Sequence, residues 1–290
     1  MIGLLHQIAS GIASGAIYAS VSLALVMIYQ ATHHVNFAQG EMATLSTFVA
    51  LTLIDAGVPF WGAFVITVVL SFGLGVVVER VLMRPVMNAP VLTSVGVFIG
   101  LLLIINALDG WIFGFTIKSF PSPFHAAHPL LGGLVSPHEI GETGLTVVVL
   151  TLVWLFFRFT PLGLAMRAAA HNPSSARLCG INVSRMLGLG WGLAAAIGAA
   201  AGIMVAPVVF LDPNMMSGIL LYAFAGALLG GIDSPLGAVI GGFVVGVLEN
   251  IFGAYIVGTE LKLTVALIII VAVLLVKPAG LLGRAVQVRV

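Results

Sequence analysis

Long apolar runs separated by short polar segments occupy most of this chain. A helix that spans a membrane needs about 20 mostly apolar residues. By that length the pattern predicts spanning helices at residues 4–29, 60–78, 91–113, 145–157, 186–209, 236–256 and 261–276. Two further apolar runs, 42–54 and 219–229, are short, so the number of spans is eight or nine. The predicted fold is an all-α, polytopic membrane helix bundle that forms a single transmembrane domain over residues 1–290.

The composition supports this fold and excludes a soluble protein. Hydrophobic residues make up 60% of the chain and charged residues only 7%, against about 25% charged residues in an ordinary soluble domain. The net charge of +1 indicates no nucleic-acid partner. The single cysteine, Cys179, excludes an internal disulfide and a cysteine-based metal site. No Lys or Arg precedes the first apolar run, so no cleaved signal peptide is predicted.

The basic residues fall into three groups that predict the orientation of the chain. The groups are Arg80 and Arg84; Arg158, Arg167, Arg177 and Arg185; and Lys277, Arg284 and Arg289. Cytoplasmic loops collect Lys and Arg, so these groups, and with them the C-terminus, are predicted to be cytoplasmic. The intervening segments contain Asp55, residues 109–142 and Asp212, and residues 114–144 are the predicted extracytoplasmic loop. Nine spans, which we favour, put the N-terminus outside, and eight put it inside.

Residues 158–185 hold four of the chain's 11 basic residues and none of its 10 acidic ones. Helix N-cap residues followed by proline at the first helical position predict where helices begin here and later in the chain, at Thr160-Pro161, Asn172-Pro173, Asp212-Pro213 and Ser234-Pro235. Two short helices are therefore expected at 161–170 and 173–179, with Gly180 as the C′ residue of the second. Residues 159–185 should form a structured cytoplasmic elbow.

A polar stretch, HHVNFAQGEM at residues 33–42, precedes the first short apolar run. Asn36 has the spacing to cap a helix whose third residue is Gln39. The second short run has a similar beginning, in which Asn214 precedes residues 219–229. Short hydrophobic segments in corresponding places of two halves indicate a translocation path in transporters. The alternative is that both are ordinary loops between ordinary helices.

Glu249 and Asn250 lie within a predicted span. A charge at the centre of a membrane helix costs about 2.5–3.5 kcal/mol on insertion scales, so such residues usually face a bundle interior or water. Glu249 lies nearer one end, and a side chain that reaches the interface, or a neutral hydrogen-bonded carboxyl, is the alternative to a role in the path. No second acid at helical spacing supports a proton relay.

Small residues recur at spacings that let membrane helices approach closely. They are Gly11 and Gly15, Gly198 and Gly202, and Gly226, Gly230, Gly237 and Gly241. The histidines give no metal signal: His33 and His34 are adjacent, and His125, His128 and His138 have no clustered Cys or acidic partners in the loop. No metal site is predicted.

Motifs of catalysis are missing from the sequence. None of the three lysines belongs to a Gly-Lys-Ser/Thr sequence, which excludes a P-loop and ATP hydrolysis by this chain. There is no Gly-x-Ser-x-Gly elbow, no His-Glu-x-x-His motif and no repeated arginine series. A membrane enzyme would need a metal or nucleophile cluster, and an ion-coupled secondary transporter would need paired carboxylates at the membrane midplane. Neither is evident in the sequence.

Four segments, in this order and spacing, carry a family resemblance: VNFAQGEM (35–42), ERVLMRPV (79–86), LGLAMRAAAHNPSSARLCGINVSRM (162–186) and LLGGIDSPLGAVIGGFVVGVLEN (228–250). They resemble the permease subunits of branched-chain amino acid ABC importers, the LivH type. The resemblance covers nearly the whole chain and is least typical in the outer loop, residues 113–144.

The resemblance implies a role for the elbow, which in such importers docks into a cleft of a separate ATPase. Arg167 and Arg177, within the capped helices, are the candidates for ATPase contact, and Asn172, Pro173 and Gly180 shape the elbow. The alternative is that the arginines only set the topology. Implied partners are a related second permease or a second copy, two ATPase subunits and an extracytoplasmic amino acid binding protein. This chain then needs no cofactor, since ATP and Mg²⁺ bind the ATPase subunits.

The implied function is inward passage of Leu, Ile or Val across a bacterial inner membrane. A zwitterion with an apolar side chain requires a largely uncharged path with a few dipoles. The residues expected to line it are Asn36, Gln39, Glu41, Asn214 and Glu249. Specificity is expected to reside largely in the binding protein. A permease of the same family for urea, amides or small organic acids is the alternative.

Overall fold

The computed structural model describes residues 2–32, 34–86, 89–124 and 135–283. Five residues discussed above, His33, His125, His128, Arg284 and Arg289, lie outside these ranges. Within them the chain is helical, and the one extended pairing is an isolated antiparallel bridge between Lys118 and Leu211. The prediction of an all-α fold is confirmed.

Twelve α-helices follow one another in the described ranges. They are α1 (Ile2–Thr32), α2 (Gln39–Asp55), α3 (Phe60–Val78), α4 (Arg84–Val86), α5 (Val91–Phe113), α6 (Pro137–Phe159), α7 (Pro161–His171), α8 (Pro173–Leu178), α9 (Val183–Val209), α10 (Met215–Gly230), α11 (Pro235–Phe252) and α12 (Lys262–Val276). A π-helical turn, Glu79–Met83, joins α3 to α4, and a second, Gly253–Val257, follows α11. Among the described residues, six helical segments are long and apolar enough to cross a membrane, and α10 and α12 are shorter apolar helices.

The start of α6 corrects the predicted boundary of the outer loop. The helix begins at Pro137, well before the predicted residue 145, because Ser136 and Glu139 form a capping box. The Glu139 backbone N–H donates to Ser136 Oγ at 3.1 Å, and the Ser136 N–H donates to Glu139 Oε2 at 2.7 Å. Asp109 and Glu142, assigned above to the outer segment, lie on α5 and α6 and are buried.

Three of the four predicted N-caps are confirmed, at Thr160, Asn172 and Ser234, each of which accepts a backbone N–H bond from the third residue of its helix. Asp212 does not cap α10, because the chain makes a further turn before Met215. In that turn Asp212 Oδ1 accepts the Asn214 backbone N–H at 2.7 Å. Gly180 follows α8 with φ +79°, so its predicted role as the C′ residue is confirmed.

The described chain divides into two compact units, each assembled from separate segments. The first comprises Met1–Val26, Phe124–Gly144 and Gly218–Val290, as far as these are described. Its core is a close, antiparallel packing of α1 on α11. A Cβ added to Gly11 would lie 2.8 Å from Val247 Cα, and one added to Gly15 would lie 2.9 Å from Phe243 Cα. The predicted small-residue packing is confirmed here.

The second unit comprises Met27–Pro123 and Leu145–Ser217, and α9 is its central helix. Trp191 of α9 is fully buried and stacks on Phe98 of α5, with ring centroids 5.9 Å apart. α2 and α3 pack against α9 and against each other, and Ser71 Oγ donates to Ser46 Oγ at 2.7 Å between them. This unit holds the polar start of α2 and the elbow helices α7 and α8.

Candidate functional site

The start of α2 lies in a buried polar environment. Asn36 is fully buried, and its side-chain Oδ1 accepts the backbone N–H of Ala38 at 3.0 Å. Because of this local turn, the helix begins only at Gln39, and Ala38 is its N-cap residue. The prediction that Asn36 is the N-cap is therefore wrong. Its amide instead points along the helix, and Nδ2 donates to Gln39 Oε1 at 3.4 Å.

Gln39 joins α2 to α9. Its Nε2 donates to the Ala194 carbonyl at 2.9 Å, a bond between helices that are far apart in sequence. Gly198, one turn further along α9, leaves the space for this amide, since an added Cβ would lie 2.6 Å from Nε2. Gly202 leaves similar space beside Thr47. The small residues of α9 therefore allow polar side chains of α2 to lie against its backbone.

Glu41 and Asn214, both predicted path residues, contact the same residue of α5. Asn106 Nδ2 lies 3.3 Å from Glu41 Oε2, 3.0 Å from Asn214 Oδ1 and 3.1 Å from the Pro213 carbonyl oxygen. Asn106 thus connects α2 and the turn before α10. It was missed in the sequence because it lies inside an otherwise apolar span.

Asp109 lies one turn beyond Asn106 on the same face of α5. It is fully buried, and neither of its carboxyl oxygens has a hydrogen-bond partner among the described residues. Because Asn106 contacts Glu41, Asp109 lies on the face of α5 that meets Glu41. The i, i+3 spacing of two polar residues in an apolar helix is the signal that could have revealed this pair. Asn36, Gln39, Glu41, Asn106, Asp109 and Asn214 are called the polar cluster below.

Glu249 belongs to the other unit and has partners of its own there. Tyr18 Oη donates to Glu249 Oε2 at 3.0 Å, and Lys262 Nζ lies 3.3 Å from Glu249 Oε1. Lys262 also donates to Asn250 Oδ1 at 3.3 Å. The two buried polar residues of α11 are therefore satisfied by α1 and α12. Neither partner of Glu249 was identified from the sequence, because Tyr18 lies on the first helix of the chain and Lys262 lies beyond the turn that follows α11.

The elbow has a buried inner side and an exposed outer side. Ala169 of α7 and Ala176 of α8 pack with Val183 and Leu187 of α9 in one apolar cluster. Asn172 Oδ1 accepts the Ser175 backbone N–H at 3.0 Å, which fixes the start of α8 after Pro173. The two short helices are thus held in place against α9.

Arg167 and Arg177 lie on the outer side of the elbow and are exposed. Leu178, next to Arg177, is 91% exposed, an unusual position for a large apolar side chain. Arg167 also lines a small pocket with Met166 and Leu187. Across the described ranges, no three His, Cys, Asp or Glu side chains are grouped so that they could hold a metal ion.

Comparisons with known proteins identify the family to which the chain is related. The model of the family described as "Branched-chain amino acid transport system / permease component" matches residues 7–274. The chain is 30% identical to the high-affinity branched-chain amino acid transport system permease protein LivH of Escherichia coli K12, over 97% of this chain and 96% of that protein. It has the same identity and coverage with the corresponding permease protein BraD of Pseudomonas aeruginosa.

A more distant relative is a permease whose name gives a different transported compound. The Autoinducer 2 import system permease protein LsrC of Photorhabdus laumondii is 25% identical, over 76% of this chain and 65% of that protein. No solved structure matches the chain.

Proposed function

Because the chain belongs to the family of branched-chain amino acid transport permease components, we propose that it forms the membrane path of an ATP-driven importer for leucine, isoleucine and valine. The observation that carries the proposal is the extent of the family match, residues 7–274. This range includes the entire polar cluster and both elbow helices. The chain is a transport subunit, and ATP with Mg²⁺ is bound by partner ATPase subunits.

The polar cluster supports a path for a zwitterion. Asn36 and Gln39 supply amide dipoles at the start of a short helix, and Asn214 supplies another at the turn before a second short helix. Irregular or polar backbone within a membrane is tolerated where it lines a cavity or is buried in protein. Glu41 adds a carboxyl group beside these dipoles. Glu249, which belongs to the other unit, stays a predicted path residue.

The elbow supports coupling to an ATPase. Its apolar inner side is fixed on α9, so a force applied to α7 and α8 acts on a helix of the membrane bundle rather than on a loose loop. Arg167, Arg177 and Leu178 face outward, where a partner would meet them. Asn172, Pro173 and Gly180 hold the shape of the docking surface. The acid-free sequence at 158–185 suits an acidic cleft.

Nine spans are supported by the directions of the helices in the first unit. α1 runs antiparallel to α11, because Gly11 and Gly15 meet Val247 and Phe243 in reverse order. α12 returns along α11 after a short connection. α1 and α12 therefore run the same way, and with the basic C-terminal end in the cytoplasm the N-terminus is outside. The number of spans is then odd, which favours nine over eight.

The complete importer in this proposal contains a second permease, either a relative or another copy, together with two ATPase subunits. An extracytoplasmic binding protein delivers the solute to the outer side of the membrane. The chain is a multi-pass protein of a bacterial inner membrane. Its two units are interleaved in sequence, which supports treating residues 1–290 as one permease domain.

The test is ATP-driven uptake by the full complex in proteoliposomes. Leucine, isoleucine, valine, urea, an amide and a short organic acid are offered separately with saturating binding protein. We expect uptake of the branched-chain amino acids that stops when the ATPase subunits are omitted. Uptake of urea, the amide or the acid instead would select the alternative cargo, and uptake driven by an ion gradient without ATPase would contradict an ABC importer.

A further inference from the structure

Asp109 is a buried acid whose carboxyl has no hydrogen-bond partner among the described residues. Its side chain is 0% exposed, and both carboxyl oxygens are without hydrogen bonds in the described part of the chain. Burying an ionised carboxylate without compensation is costly, and in membrane helices such residues normally pair with a counter-charge or face a polar pathway. A group that supplies a positive charge or hydrogen-bond donors at this place would therefore meet an acid that has neither among the described side chains.

A second buried acid lies beside it. Glu41 is 4% exposed, and one of its oxygens accepts the Asn106 amide at 3.3 Å. Asn106 and Asp109 lie on one face of α5, and Asn106 contacts Glu41, so Glu41 meets the face of the helix that carries Asp109. The pair therefore offers as many as four acceptor oxygens, while the donor that reaches it is an amide shared with Asn214 and Pro213.

No positive side chain neutralises the pair within the described ranges. Lys118 is held elsewhere: its Nζ lies over the rings of Phe48 and Phe113, 5.8 and 5.9 Å from their centroids. An ammonium group carries three N–H donors and one positive charge. Those are the two things that the pair lacks.

We propose that Glu41 and Asp109, positioned by Asn106, bind the primary ammonium group of the transported solute. This inference rests on the proposed function, because it assigns one end of an amino acid to a place in the path. It also explains how a largely apolar path can favour a zwitterion over an uncharged solute or an anion of the same size. Asp109 and Glu41 contact the solute directly, whereas Asn106 is a positioning residue.

The test uses the complex of permease and ATPase subunits in nanodiscs without the binding protein, so that the affinity measured is that of the membrane path. Binding of radiolabelled leucine is displaced with two fragments. 3-Methylbutylamine keeps the ammonium group, and 4-methylpentanoate keeps the carboxylate. For the wild type we expect the amine to displace leucine at concentrations at least about tenfold lower than the acid, because only the amine keeps the charged hydrogen-bond donor that the pair binds.

Substitutions then assign the effect to the pair. Asp109→Asn and Glu41→Gln should each weaken leucine binding by about 10- to 100-fold and abolish the preference for the amine, while Asp109→Glu should restore part of it. Asp55→Asn, the same chemical change at the exposed far end of α2, is the matched control and should bind as wild type. The amount of assembled complex is measured for every variant.

Two results would overturn the assignment. One is wild-type leucine affinity with an unchanged amine preference in assembled Asp109→Asn and Glu41→Gln. The other is equal displacement of leucine by both fragments, together with a requirement for Na⁺ that Asp109→Asn removes. That result would mean that the site binds an inorganic cation. Failure of the proposed function is separate: the wild-type complex would then import no branched-chain amino acid at all.

Discussion

Asn106 places one amide nitrogen near three acceptors. An amide NH₂ has two hydrogens, so Glu41, Asn214 and the Pro213 carbonyl, at 3.3, 3.0 and 3.1 Å, compete for them. One of the three contacts is always weak or shared. A small movement of α2 or of the turn before α10 can therefore exchange partners at little energetic cost. Such a shared donor suits a site whose shape changes during transport.

Gln39 makes a simpler contact, a single bond from Nε2 to the Ala194 carbonyl. We expect Gln39→Leu to lower transport several-fold while the complex still assembles. Interhelical hydrogen bonds between membrane helices contribute only about 0.6 kcal/mol on average, too little to hold the complex together. The loss instead removes an amide dipole from the proposed path. Transport per assembled complex is the measurement.

Thr52→Val is the control for Gln39→Leu on the same helix. The Thr52 hydroxyl donates within α2, to the Phe48 carbonyl at 2.9 Å, so its removal deletes a hydrogen bond without touching α9. We expect near-normal transport in this variant. Equal losses in the two variants, or none in either, would leave Gln39 with a packing role only.

At the level of the elements, the sequence predicted most helices closely and missed the contacts between them. α3 and α5 begin and end where the apolar runs do, and the elbow helices follow from their N-cap and proline pairs. These features are local. The start of α6 was missed because Glu139 interrupts the apolar pattern, and its further partner, Ser10 Oγ at 2.7 Å, comes from α1.

The polar cluster is a second case in which the sequence did not reveal the contacts between helices. Asn36, Gln39, Glu41 and Asn214 were identified because they border short apolar runs. Asn106 was not, because a polar residue inside a span looks like a local defect until its neighbours are known, and Asp109 was assigned to the outer segment. The partners of Asn106 lie on α2 and before α10, 65 and 108 residues away. Composition and periodicity carry no information about such pairings.

The elbow supports a prediction that separates docking from coupling. Arg177→Glu places negative charge on its exposed outer side, and a reversed charge pair at a partner interface costs about 2–5 kcal/mol. We expect severe loss of ATPase binding in pull-down, whereas Arg177→Lys, which keeps the charge, should retain most of it. Wild-type assembly and transport in Arg177→Glu would mean that the arginine only sets topology.

Pro173→Gly tests the rigidity of the same element. It keeps every charge but loosens the first turn of α8 by about 0.4–1 kcal/mol, the usual effect of exchanging proline for a more flexible residue. The Asn172 cap remains. We expect normal ATPase binding with less solute imported per ATP hydrolysed, because a softened elbow transmits less of the ATPase movement. An unchanged ratio would argue against mechanical coupling through α8.

For the whole molecule, whether the number of membrane spans is odd or even decides which side of the membrane each end of the chain faces. α1 and α12 run in the same direction within their unit, since both lie antiparallel to α11. If both helices cross the membrane, this direction places the two chain ends on opposite sides, as the proposed nine spans require. The basic residues predict which side is cytoplasmic: Lys277 follows α12, and the elbow carries Arg167 and Arg177.

This orientation can be tested with the exposed Cys179 and two epitopes. An impermeant maleimide should label Cys179 in inside-out vesicles and not in intact spheroplasts, and Cys179→Ser should abolish the signal. An N-terminal epitope should bind antibody in intact spheroplasts, whereas a C-terminal epitope should require permeabilisation.

If both epitopes require permeabilisation, the chain has an even number of spans and either α1 or α12 does not cross the membrane. If Cys179 is labelled only from outside, the elbow faces away from any cytoplasmic ATPase, and the coupling proposal fails together with the orientation.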